Sequence, residues 1–253
     1  MKGRLGPKVE QNAYIMESIA GAACFLLGVR LYRRGRQSAQ LPELFLGVTL
    51  LIWAVGYGLY DIPYAFVESD ERIPAFFSYA SILAFSLGNV VLAIFAKEVF
   101  RKREHWAGWV VVAVAVCAVL GAAGSAWVGD WEQIDPLDNP GYWPQLLANF
   151  IPSFWLGADG LADFFGARKR TALGLGDPLI RHRILLLGLT GALWAVLEVV
   201  ILIQDFIYIN VGDWSLALGI ANGLLEIIPV AMLWLAFCPP AAYRRWIGAA
   251  ALA

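Results

Sequence analysis

Seven polar side chains that could serve an ion or a small ligand stand inside long apolar stretches of this chain. They are Glu17, Asn89, Asp159, Asp163, Glu198, Asn222 and Glu226. A central Asp costs about 2.5–3.5 kcal/mol to insert into a bilayer, and acids held at that depth often mark a ligand pocket, an ion path or a proton relay. Asp159 and Asp163 are four residues apart, as are Asn222 and Glu226, so each pair shares a helix face. Lys and Arg are absent from the deep part of every apolar stretch, so the acids are expected to lack a cationic side-chain partner. Such groups can be protonated and hydrogen-bonded, hold a cation, or line a wet cavity. Asn149 is a further polar candidate. If the helices carrying Asp159, Glu198 and Glu226 face one another, these residues form one internal polar network. The plainer reading is hydrogen-bond glue between helices, worth about 0.6 kcal/mol per contact. Pro152 and Pro229 each remove a backbone hydrogen bond and kink a helix. Pro229 lies three residues after Glu226, which sets an acid beside freed carbonyls.

Other chemistries find no support. The two histidines, His105 and His182, both stand in basic loops, so neither a zinc site nor a Ser, His and Asp triad can be assembled within the apolar stretches. Cys24, Cys117 and Cys238 are odd in number and dispersed, unlike a disulfide framework or a metal site. The stretch LGLGDP at 173–178 is a turn former and no phosphate loop, because no GK[ST] follows its glycines. Catalytic residues, a bound metal and a cofactor are not expected, and the chain is read as a non-enzyme.

The elements that must hold these residues are membrane helices. The chain has 253 residues, of which 60% are hydrophobic and 15% charged, with a mean hydropathy of +0.64. Soluble domains carry roughly 25% charged residues. A net charge of −1 gives no pull towards nucleic acid. A helix needs about 20 mostly apolar residues to cross a bilayer. Seven such segments lie near 11–32, 41–60, 73–96, 106–128, 142–166, 183–207 and 214–238, none with the period of two of a barrel strand. The first is too long for a signal-peptide core and is read as a retained helix. The connections alternate in charge. One set holds Arg33, Arg34, Arg36, Lys97, Arg101, Lys102, Arg103, Arg168, Lys169, Arg170, Arg181, Arg183, Arg244 and Arg245. The other carries Glu68, Asp70, Glu71, Asp130, Glu132, Asp135, Asp138, Asp205 and Asp213, with Arg72 as its one base. Cytoplasmic loops collect Lys and Arg. The expectation is therefore an all-α, polytopic membrane protein: a seven-transmembrane-helix bundle with its N-terminus outside and its C-terminus cytoplasmic. Lys2, Arg4 and Lys8 dissent. Residues 1–253 form one domain, with a short external tail at 1–10 and a short cytoplasmic tail at 239–253, in the plasma membrane of a bacterium. Trp127, Trp131, Trp143 and Trp214 fall near the outer boundary, and Trp106 and Trp246 near the inner one, as interfacial anchors do. Gly21, Gly28, Gly56, Gly58, Gly121, Gly124, Gly188 and Gly191 are expected to let helices approach closely. Covalent retinal would need a lysine in the seventh helix, and there is none.

Two stretches carry a resemblance. LYRRGRQSAQLPELFLGVTLLIWAVGYGLYD joins a helix, a basic turn and a helix bearing Trp, Gly and Tyr, and IRHRILLLGLTGALWAVLEVV leads from a basic segment into a long Leu-rich helix. The architecture resembles the seven-helix sensory region at the N-terminus of bacterial histidine kinases, here without an output domain. That resemblance implies a receptor-like module. The leading expectation is a membrane protein with an internal polar pocket that senses a small ligand, lipid or ion and acts through a cytoplasmic partner protein. The basic inner loops would be the contact surface or simply headgroup anchors. The rival is a proton- or cation-conducting transporter or channel using Asp159, Asp163, Glu198 and Glu226. No internal repeat supports that rival. Besides the lipid bilayer, the partners expected are a small ligand or cation and the cytoplasmic protein.

Overall fold

The computed structural model describes residues 7–66, 75–128, 138–211 and 216–252. They form eight helices: α1 (Pro7–Ser38), α2 (Leu41–Phe66), α3 (Ala75–Phe100), α4 (His105–Val128), α5 (Tyr142–Ala172), α6 (Pro178–Val211), α7 (Leu216–Phe237) and α8 (Ala241–Leu252). Each of the seven expected segments falls on one of α1–α7. The final segment, expected as a tail, is helical and is set off from α7 by a 75° bend. Pro239 and Pro240 occupy the break, where proline cannot continue the hydrogen-bond ladder.

This is an all-α membrane protein. Among the described residues, four helices, α2, α3, α4 and α6, are long and apolar enough to cross a bilayer, or five if α7 and α8 count as one bent span. α5 falls short because it carries Asn149, Asp159 and Asp163, and the described part of α1, from Glu17 onward, reaches Arg30, Arg33 and Arg34 within eighteen residues. Large apolar side chains face outward throughout. On α4, Trp109, Val112, Val116, Val119, Leu120 and Trp127 are all exposed. Burying one such side chain is worth about 1.5–3 kcal/mol, so this face alone would lose on the order of 10 kcal/mol in water. The bilayer is the solvent that removes the penalty. Trp106, Trp127, Trp143 and Trp246 are exposed near helix ends, as anchors require.

Six helices close a ring. α1 packs on α2, α2 on α3, α3 on α5, α5 on α6, α6 on α7, and α7 back on α1. α4 stands outside it, against α3 and α5. Small residues draw the neighbours together. A Cβ at Gly160 would lie 2.6 Å from Cα of Gly188, and one at Gly191 would strike the backbone nitrogen of Gly157. Gly21, Gly28, Gly56, Gly121, Gly124 and Gly188 also meet a neighbouring helix or loop, as expected.

The helix ends explain several basic residues. α5 ends at Gly174, whose φ of 73° is open to glycine, and Leu175 N–H donates to the Arg170 carbonyl at 2.9 Å. Asp177 then caps α6 by accepting from Leu179 N–H at 2.8 Å. The Gly/Pro stretch is thus a helix stop followed by a helix start. At the end of α7, where carbonyls lose their helical partners, Arg34 donates to the Phe237 carbonyl at 3.2 Å and Arg183 to that of Ala236 at 3.0 Å. Arg34 also pairs with buried Glu43 at 3.1 Å. These arginines are internal clasps at the basic end of the bundle. α8 packs on α6, where His182 meets the rings of Tyr243 and Trp246. The acidic-set residues Glu68, Asp70, Glu71, Arg72, Asp130, Glu132, Asp135 and Asp213 lie outside the described residues, as do Lys2, Arg4, Trp131 and Trp214.

Candidate functional site

The ring lines a half-open cavity of about 250 Å³. Each helix of the ring contributes to its wall: Glu17 from α1, Trp53, Tyr57 and Tyr60 from α2, and Phe85 and Asn89 from α3. Asn149 and Ser153 come from α5, Trp194, Leu197, Glu198 and Ile201 from α6, and Glu226 from α7. All lie in the half of the bundle away from the basic loops. Glu226, for example, is eleven residues before Phe237, roughly 16 Å along the helix at 1.5 Å per residue.

One hydrogen-bonded chain braces the wall. Asn89 Nδ2 donates to Asn149 Oδ1 at 2.7 Å, and Gln145 Nε2 donates to the same oxygen at 3.1 Å. Ser86 Oγ donates to Gln145 Oε1 at 2.9 Å. Because its oxygen accepts twice, Asn149 must present its amide nitrogen elsewhere, and a hydrogen bond joins it to Glu198. Asn149 therefore ties α3, α5 and α6 together and orients one carboxyl of the wall. Perpendicular ring pairs form the aromatic side: Trp53 and Trp194 have centroids 4.8 Å apart, and Tyr57 and Phe85 5.0 Å apart. Trp53 packs edge-on against Gly88, where a Cβ would collide with the indole.

Below the cavity, towards the basic end, the bundle is filled. Leu27, Leu31, Leu46, Leu50, Leu92, Phe95, Leu156 and Leu233 form one cluster and are at most 1% exposed. This apolar floor separates the carboxyls of the cavity from the basic loops.

The structure divides the seven candidate residues. Glu17, Asn89, Glu198 and Glu226 line the cavity together. Asn222 does not; it donates to Gln204 Oε1 at 2.7 Å, joining α7 to α6. Asp159 and Asp163 lie six and ten residues beyond Ser153 on α5, roughly 9 and 15 Å nearer the basic end. Asp163 is exposed. Asp159 corrects the expectation that the deep acids lack cationic partners. Arg101, the first residue after α3, donates to both its oxygens at 2.9 and 2.7 Å, and Trp155 Nε1 adds a third bond at 2.7 Å. The carboxylate in turn holds the Arg101 guanidinium above its ordinary pKa, chiefly through that hydrogen bond. Sequence reading placed Arg101 in a loop and missed that its long side chain reaches back along the bundle. The guanidinium also lies 6.0 Å from the Trp106 ring centroid, and Trp106 packs on Trp155. The group is a clasp between α3, α4 and α5.

The aromatic wall escaped the sequence reading. Trp53, Tyr57 and Tyr60 stand at i, i+4 and i+7, one face of a helix, and that spacing was the available signal. Among the described residues, no group of three or more His, Cys, Asp or Glu is placed to hold a metal ion. Comparison with protein-family models, with curated proteins and with solved structures finds no match. The reading of function rests on the cavity.

Proposed function

We propose that the protein is a receptor-like integral membrane protein of the bacterial plasma membrane that binds a small ligand in this cavity and acts through a partner. One observation carries the reading: each of the six ring helices turns at least one polar side chain into a cavity that is otherwise largely apolar, and fully buried Leu and Phe side chains fill the bundle between that cavity and the basic loops. A pocket closed towards one side suits binding and shape change. A conduction path would need polar groups to continue through the floor. The likeness to the seven-helix sensory regions of histidine kinases belongs to the same reading.

The proposal includes seven crossings, with the N-terminus outside. α1 and α5 are 32 and 31 residues long, roughly 48 and 46 Å, ample to cross a core of about 30 Å. Glu17 and Asn149 line the cavity, and Asp159 is taken up by Arg101 and Trp155, so these polar groups need not face lipid. The basic loops set the floor end on the cytoplasmic side and the cavity in the outer half. A reporter fused after Arg245 should read cytoplasmic; an external reading reverses the map. Liposomes carrying the protein should show no proton or cation flux above protein-free vesicles. A flux that Glu226→Gln abolishes would replace the receptor by a transporter or channel.

A further inference from the structure

The cavity's chemistry narrows what it can take. Its described wall holds three carboxyls, Glu17, Glu198 and Glu226, on three different helices, and no Lys or Arg. An anionic ligand would find no cationic side chain in the described wall to balance it. A compact metal ion is also a poor match, since such ions gather oxygen ligands within about 2.0–2.6 Å, whereas these carboxyls are spread around about 250 Å³ and no metal-holding group occurs among the described residues. That volume is the share of roughly eight waters at about 30 Å³ each, enough for a molecule of several heavy atoms.

Aromatic rings share the wall with these carboxyls. Trp53, Tyr57, Phe85 and Trp194 are arranged as two perpendicular pairs, which turns rings in two directions around the space. Ring faces are negative, and boxes of such rings attract soft organic cations that shed water easily. Carboxyls and aromatic rings around one space match an ammonium carrying alkyl groups: an ionised carboxyl balances the charge, the methyl surface is buried, and no strongly hydrated ion need be stripped. Asn89, Asn149 and Ser153 supply polar groups suited to a hydroxyl on the same ligand. From this juxtaposition we infer that the cavity binds a small organic cation of the alkylammonium or quaternary ammonium class. The inference rests on the ligand-pocket reading above and specifies its ligand.

Purified protein in lipid nanodiscs is titrated calorimetrically with tetramethylammonium, with choline and with 3,3-dimethylbutan-1-ol, the uncharged carbon isostere of choline, at constant ionic strength. Choline should bind at least about tenfold more tightly than the isostere. Glu198→Gln and Trp194→Leu should each weaken choline about tenfold, Trp194→Phe should recover much of the loss by restoring a ring face, and Asp159→Asn, outside the cavity, should leave affinity unchanged. Equal binding of choline and the isostere would overturn the cation inference and leave the pocket standing. Choline affinity indifferent to Glu198→Gln and Trp194→Leu would place the cation elsewhere and overturn it too. Binding of neither charged probe also removes the inference, and the flux assay then decides the receptor reading separately. Glu198→Gln is near-isosteric and Trp194→Phe keeps an aromatic ring in place, so a folding failure of Trp194→Leu does not shield the inference.

Discussion

Arg101→Ala tests whether Asp159 is a clasp or part of the binding chemistry. The Asp159 side chain is 12% exposed and that of Arg101 38%, with two hydrogen bonds between them and a third from Trp155. Breaking a fully buried pair costs about 3–5 kcal/mol. A solvated pair is worth about 0–1 kcal/mol. This pair lies between the limits, so about 2 kcal/mol is expected, or roughly 4–8 °C in melting temperature for a chain of this length. Arg101→Ala should cost more than Asp159→Asn, because it strands a carboxylate held by one remaining indole N–H, whereas the amide variant still accepts from Trp155 and carries no charge. Thermal unfolding of the two single variants and the double variant in the same detergent closes the cycle. A coupling below ~0.5 kcal/mol would refute the clasp. So would an Asp159→Asn variant with unchanged stability and lost cavity binding.

Three further outcomes follow from packing and hydrogen bonding. Gly191→Val, aimed at the backbone of Gly157, should destabilise by about 1–3 kcal/mol or part α5 from α6, while Gly166→Ala, with open space around it, should stabilise by about 0.5–1 kcal/mol; melting temperatures check both. Asn149→Leu removes an acceptor used twice and the donor to Glu198, so stability should fall by about 1–3 kcal/mol for each buried group left unpaired, and ligand affinity with it. Leu233→Ala opens the floor at a cost of about 2–5 kcal/mol and should let an aqueous maleimide reach Cys24, 1% exposed in the intact protein, as peptide mass mapping would reveal.

Much of the architecture was legible without coordinates, because hydropathy and loop charge are local properties. Seven apolar segments each coincide with one long helix. Pro239 and Pro240 mark a real break, and Gly174 and Asp177 mark a helix stop and start. Glu17, Asn89, Glu198 and Glu226 stood out because polar side chains in apolar stretches need a reason, and they do share a cavity. Their convergence could not be read from the chain, since the order in which helices close a ring is set by long-range packing. α4 is among the most apolar of the helices, yet it stands outside, while the more polar α1 and α5 belong to the wall. Asp159 and Glu198 look alike in sequence. Only the fold brings Arg101 back from its loop to one and the Asn149 amide to the other, because a side chain's partner depends on which helix lies beside it.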